Sequence, residues 1–185
     1  MKKIAIGCDP NAAELKEVVK QQLTDLGYEY EDYGSEDPIY ANVAIKVAEK
    51  VGAGVHDRGI LICGTGIGMC ITANKVPGVY AALCADAYST ERSVKSNNAN
   101  IMTLGSQVTG SELAKSLVKI WMASEYVPGG RSQPKIPRIY DYVKDSTKEG
   151  ERRAKVKRGV DLFYSYPHAK AHSRKVLNLS AWCLG

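Results

Sequence analysis

From Gly59 to Lys75 the chain reads Gly-Ile-Leu-Ile-Cys-Gly-Thr-Gly-Ile-Gly-Met-Cys-Ile-Thr-Ala-Asn-Lys. An apolar run, read as a buried strand, leads into glycines at alternate positions, and Met69–Lys75 reads as a helix. Such a turn aims several backbone N–H groups into one concavity, to which the helix start adds partial positive charge. It binds an anion, either a phosphate or an oxyanion formed during a reaction. Cys63 at the strand end and Thr65 inside the loop set this turn apart. A thiol at the C-terminal edge of a strand, facing a helix start, is where a thiolate is stabilised. The stretch reads as a reaction site.

Two other readings compete. A free cysteine at a strand end is also a small buried apolar residue. A dinucleotide site would need Gly-x-Gly-x-x-Gly after the first strand of its unit. Here position 69 is Met and the loop follows the third strand. Asp86 stands at a suitable distance for a ribose contact, but the glycine spacing fails.

The elements that must position Cys63 follow from the chain in order. Lys3–Cys8 is an apolar run ending in Gly-Cys-Asp-Pro. Asn11 is a candidate cap for a helix with Leu15, Val18, Val19, Leu23 and Leu26 at helical spacing, closed by Gly27. Tyr28–Tyr33 alternates as a second strand. Asp37-Pro38 opens a helix with Val43, Val47, Ala48 and Val51 inward. After the glycine loop come a fourth strand, Val79–Cys84, a helix, Ala87–Ser96, and a fifth strand, Ile101–Leu104. A last helix spans Glu112 to about Ser124, with Leu113, Leu117, Ile120 and Trp121 on one face. Strands alternating with helices predict an α/β fold: a three-layer αβα, Rossmann-like, five-stranded parallel sheet covered on both faces. Ligands then bind outside the carboxyl ends of the strands, which gathers Asp9, Cys63, Asp86 and Gly105 along one edge. A charged helical stretch from about Tyr140 to Arg158 and an aperiodic end, Tyr164–Gly185, form a C-terminal helical or irregular extension.

The chain has 185 residues, 44% of them hydrophobic, enough for one domain of residues 1–140 and an appendage of 141–185. The net charge of +5 is unevenly placed. Residues 151–185 hold eight Lys/Arg against two acids, a net of +6 that leaves −1 for residues 1–150. The near-neutral body implies no nucleic-acid partner, and the basic run Arg152–Arg158 reads as a solvated face. No apolar run approaches a membrane span, and the Met-Lys-Lys start lacks the apolar region of a signal peptide. The five cysteines form neither a zinc-type spacing nor an even disulfide framework, so they are expected as reduced thiols in a cytoplasmic protein. His56 is the one histidine of the body, which argues against a His-based metal site.

Together these motifs resemble the ribose-5-phosphate isomerase B and galactose-6-phosphate isomerase family. The resemblance rests on Ile4–Asp9, the Asn11–Lys16 segment, Asp57–Gly68, Ala73–Gly78, Tyr88-Ser89, Asn97–Asn100, Leu104-Gly105 and Gly129–Arg131, and it covers roughly residues 1–140. It implies an aldose–ketose isomerase of a phosphorylated sugar, with no cofactor and no metal. It also implies a homodimer or dimer of dimers whose sites are completed by the neighbouring chain. By resemblance, Cys63 is the base that moves a proton between C1 and C2 through a cis-enediolate. Thr65 helps shift the hydroxyl protons and Asp9 binds substrate hydroxyls. The amides of Gly64, Gly66, Ile67 and Gly68 hold the enediolate oxygen, Asn97 supports it, and Arg131 with Lys135 holds the phosphate. The residues suit that chemistry independently: a thiol of pKa about 8.5, lowered at a helix start, is a base poised near neutrality. Arg131 and Lys135, without the resemblance, read as solvated surface.

Two departures bear on substrate. The family usually has His after the first-strand Asp, where Pro10 stands, and a ring-opening His where Ser96 stands. Tyr80 also stands where many members carry Arg. A tetrose phosphorylated on O4 cannot close a furanose ring, so it tolerates loss of that His. Tyr40-Ala41-Asn42, Ser96-Asn97-Asn98 and Gly130-Arg131-Ser132 look like the erythrulose-4-phosphate isomerase branch, which adds Tyr40 to the substrate-binding set. The alternative is a non-catalytic sugar-phosphate-binding subunit of a heteromeric isomerase.

Overall fold

Five short runs form the sheet of this protein, whose structure is a computed structural model that describes residues 3–142. They are β1 (Ile4–Cys8), β2 (Tyr30–Asp32), β3 (Gly59–Cys63), β4 (Ala81–Leu83) and β5 (Ile101–Gly105). All pair in parallel, in the order β2-β1-β3-β5-β4. The three central strands are buried along their whole length, as their unbroken apolar sequences require in a sheet covered on both faces. The order reverses between β1 and β3, which is where ligands bind in such sheets.

Helices α1 (Ala13–Asp25), α2 (Tyr40–Gly52), α3 (Ile67–Ala73), α4 (Ala87–Lys95) and α5 (Ser111–Ala123) cover the two faces. Strand alternation sorts the side chains. Ile4, Ile6, Cys8, Ile60, Ile62, Met102 and Leu104 pack under α1, α4 and α5. Ala5, Leu61, Cys63 and Ile101 pack under α2 and α3. The fold is therefore the expected αβα sandwich.

Several element limits differ from the sequence reading. Asn11 is not a helix cap. Pro10 has no N–H and a fixed φ, so a short 3-10 turn, Pro10–Ala12, forms first and α1 begins at Ala13. The helix α3 begins at Ile67, because Gly66 takes the left-handed conformation (φ 77°) that turns the chain into it. The edge strands β2 and β4 are shorter than predicted, each having a single partner. In α5 the inward face is Ala114, Leu117, Val118 and Trp121, while Leu113 is exposed.

The chain divides into one compact unit, residues 1–138, and a second, residues 139–185, of which 139–142 are described. Residues 135–142 are helical. The stretch from 143 onward, including most of the predicted Tyr140–Arg158 helix and the aromatic end, lies outside the described residues.

Candidate active site at the β1–β3 switch point

Asp9 and Cys63 meet because the sheet register leaves them no alternative. Cys8 pairs with Ile62, and the Asp9 amide continues the ladder by donating to the Ile62 carbonyl at 3.2 Å. Asp9 is still extended (φ −84°, ψ 171°), so it stands beside Cys63 at the strand spacing of about 5 Å. Alternation turns both side chains to the α2/α3 face, where Cys63 joins the core and Ala5 and Gly7 precede Asp9. Both residues are 5% exposed. Asp9 Oδ1 is buried and has no hydrogen-bond partner among the described residues. A carboxylate oxygen so placed costs folding free energy unless something donates to it.

The loop after β3 then folds over the thiol. The Gly66 amide donates to Cys63 Sγ at 3.2 Å. The Thr65 hydroxyl oxygen accepts from the Ile67 amide at 3.4 Å and lies on the exposed side of the loop. The seven residues of α3 give an axis of only about 10 Å, so the local amides matter more here than a helix dipole. Glycine is required for packing as well as for conformation. A β-carbon on Gly68 would lie 2.5 Å from the Tyr40 ring, and one on Gly105 would lie 2.7 Å from the Thr65 backbone. Tyr40, the first residue of α2, therefore rests directly on the loop.

One residue that the sequence reading passed over also touches the loop. The amides of Ser106 and Gln107 donate to the carbonyls of Cys63 (2.8 Å) and Gly64 (3.0 Å), and the Gln107 carboxamide lies against Gly64. Its position just past the carboxyl end of β5, the strand beside β3, was the available signal.

Other predicted residues lie elsewhere. Asn97 is exposed in the turn between α4 and β5, at the end of the sheet where strands begin. There the neighbouring Asn100 carbonyl accepts from the Gly59 amide at 2.9 Å. Roughly 16 Å of strand separates that end from Cys63. Arg131 and Lys135 are exposed, and no hydrogen bond or ion pair among the described residues joins them to the loop. Asp86 caps α4 by accepting from the Ser89 amide at 2.7 Å. His56 is buried; its Nδ1 donates to the Lys3 carbonyl at 2.8 Å and its Nε2 bonds the Tyr33 hydroxyl at 2.7 Å. A cavity of about 500 Å³, lined by Asn11, Glu14, Ser106, Thr109 and Ser111, opens between α1 and α5, on the face away from Cys63. It does not coincide with Asp9 and Cys63. Burial pushes the thiols of Cys8 and Cys84 up to about 11 and also raises that of Cys70. Among the described residues, no group of three or more His, Cys, Asp or Glu side chains could hold a metal ion. No helix there is long and apolar enough to cross a membrane.

A family model described as Ribose/Galactose Isomerase matches residues 4–139. The chain belongs to the ribose/galactose isomerase family. It is an isomerase, and the model's span takes in Asp9, Tyr40, the Cys63–Gly68 loop, Asn97, Arg131 and Lys135. Within this family the chain is 47% identical over 146 residues to a D-erythrulose-4-phosphate isomerase of Pectobacterium atrosepticum, covering 77% of this chain and 95% of that one. It is 51% identical over 137 residues to a ribose-5-P isomerase B of Listeria innocua, covering 72% and 92%. The fold superposes on the Clostridium thermocellum ribose-5-phosphate isomerase B with a TM-score of 0.73 at 41% identity, covering 78% of this chain and 99% of that one.

Proposed function

We propose that this isomerase interconverts an aldose and a ketose phosphate through a cis-enediolate, without metal or cofactor, with Cys63 as the base. The observation that carries this reading is the Cys63 sulfur under a donating amide beside the unpartnered carboxylate oxygen of Asp9. A free Asp9 oxygen accepts a hydroxyl of the open-chain sugar and fixes the carbon next to the carbonyl over the thiolate. Cys63 removes the proton from C2 of the aldose, and the electron pair moves through C1–C2 onto the carbonyl oxygen. The amides of Gly64 and Gly68 face the charge that develops there, joined by those of Gly66 and Ile67 as they exchange their bonds to Cys63 Sγ and Thr65 Oγ1 for bonds to the enediolate oxygen. Thr65 passes the proton between the two oxygens, Cys63 returns its proton to C1, and the ketose leaves with no net change of atoms. Tyr40 closes the loop side of the site.

Arg131 and Lys135 are the phosphate-binding pair in this reading, and Asn97 supports the enediolate. Asn97 stands at the far end of the sheet from Cys63, so it serves a neighbouring copy, as in a homodimer or dimer of dimers. The exposed apolar residues Ile67, Ile71, Leu83 and Tyr88 suit such an interface. The favoured substrate is a tetrose phosphate of the erythrulose 4-phosphate type, which needs no ring opening, with ribose 5-phosphate as the pentose alternative. Pro10 and Ser96 supply no acid–base group for opening a ring. The free thiols suit a reducing, cytoplasmic setting.

The test is turnover of erythrulose 4-phosphate and ribose 5-phosphate side by side, with and without a chelator. Preference for the tetrose with no chelator effect is expected. Equal or better use of ribose would overturn the tetrose assignment, and inactivity on both would overturn the isomerase reaction proposed here for these sugars.

A further inference from the structure

We propose that Gln107 is a specificity-determining substrate contact, hydrogen-bonding an uncharged oxygen of the sugar; this rests on the isomerase reading above. The carboxamide lies flat on the oxyanion loop. Its Cδ, Nε2 and Oε1 atoms are 3.3, 3.4 and 3.5 Å from the point where a Gly64 β-carbon would stand. No hydrogen bond to that carboxamide is present among the described residues, and the residue is exposed. Its backbone amide is separately fixed to the Gly64 carbonyl at 3.0 Å. The main chain is thus anchored while the polar head remains free for a ligand.

The loop is bracketed at both ends, by the Tyr40 ring on Gly68 and by the Gln107 head on Gly64. Of these two the carboxamide is the group that both donates through N–H and accepts through C=O. Its neutrality matters beside a loop where negative charge develops, because a carboxylate in the same place would oppose the enediolate. A site built to bond a hydroxyl discriminates strongly against a substrate that lacks it, since its own polar group is then left unpaired. Sugars of different chain length present different oxygens to one fixed carboxamide. That makes Gln107 a selector between them.

The experiment compares full-length wild type, Gln107→Ala and Gln107→Glu with erythrulose 4-phosphate and ribose 5-phosphate, recording thermal midpoints alongside. Gln107→Ala should lower kcat/KM for the preferred sugar about tenfold to a hundredfold, mainly through KM, with an unchanged midpoint because the backbone anchor remains. Gln107→Glu should lose more, and its rate relative to wild type should recover as pH is lowered and the new carboxylate is neutralised. An active wild type with Gln107→Ala within twofold of it on both sugars overturns this proposal alone. Loss of activity in step with the thermal midpoint also overturns it, since the side chain would then be a structural prop. A wild type inert on both sugars overturns the isomerase reading and this proposal together.

Discussion

At Asp9 the molecule keeps a buried carboxylate oxygen that nothing among the described residues satisfies. A folding-only criterion would remove it, so on the proposed reading the site trades stability for chemistry. Asp9→Asn should therefore raise the thermal midpoint, by about 2–4 °C for each kcal/mol recovered, while lowering kcat/KM at least tenfold. Calorimetry and steady-state kinetics on the same preparation check both signs. Cys63→Ser separates a base from a binding group. The serine hydroxyl holds its proton at neutral pH, so turnover should fall about 10²- to 10⁴-fold while affinity for the sugar phosphate stays near that of wild type. A parallel loss of binding measured by titration calorimetry would count against the role given to the thiol.

Among the elements, the glycine loop is held from three sides, by Tyr40, by β5 and by its own amides. Gly105→Ala drives a β-carbon into the Thr65 backbone, which cannot rotate away, and should cost about 1–3 kcal/mol and most of the activity. Gly68→Ala meets only a side chain, the Tyr40 ring. It should keep nearly wild-type stability in denaturant and lose activity as the ring is displaced. Element positions were legible in the sequence wherever apolar periodicity was strong, as in β1, β3, β5 and α2. They were illegible where a weakly apolar residue set the phase. In α5, Ala114 sits on the inward face with Leu117, Val118 and Trp121, and its small side chain hid a face that the sequence reading drew through Leu113 and Ile120. The pairing of Asp9 with Cys63 was legible only as two strand ends on one edge. Their shared face needed the register. Gln107 carries no motif of its own and emerged only through its contact with Gly64.

In the molecule as a whole, charge is buried away from the candidate site in a second cluster. Lys16, whose side chain is 4% exposed, donates to Asp32 at 2.8 Å, and Lys20 joins Asp32 at 3.1 Å. Burial alone would raise the Asp32 carboxyl, but the Lys16 ammonium, the Gly34 amide and Lys20 together hold it below the usual carboxylate range. A carboxyl depressed in the folded state contributes stability above its unfolded value, near pH 4, and loses it as pH falls through the lower folded value. Asp32→Asn should therefore be clearly less stable than wild type at pH 7, because a buried ammonium is left unpaired. The gap should narrow only below about pH 4. Urea unfolding across pH 2–7 measures it.

The strand order β3-β5-β4 has a consequence in time. The last strand made is inserted between two made earlier, and β4 pairs with β5 alone. On the ribosome, β1, β2 and β3 can zip together as they emerge, whereas Ala81–Leu83 must wait without a ladder until Ile101–Gly105 has been synthesised. At about 5–20 residues per second that wait lasts on the order of seconds. During it the amides that will anchor the Cys63 loop are missing, since Ser106 and Gln107, which donate to the Cys63 and Gly64 carbonyls, follow β5. The half that carries Cys63 is thus made first, and its loop is anchored last.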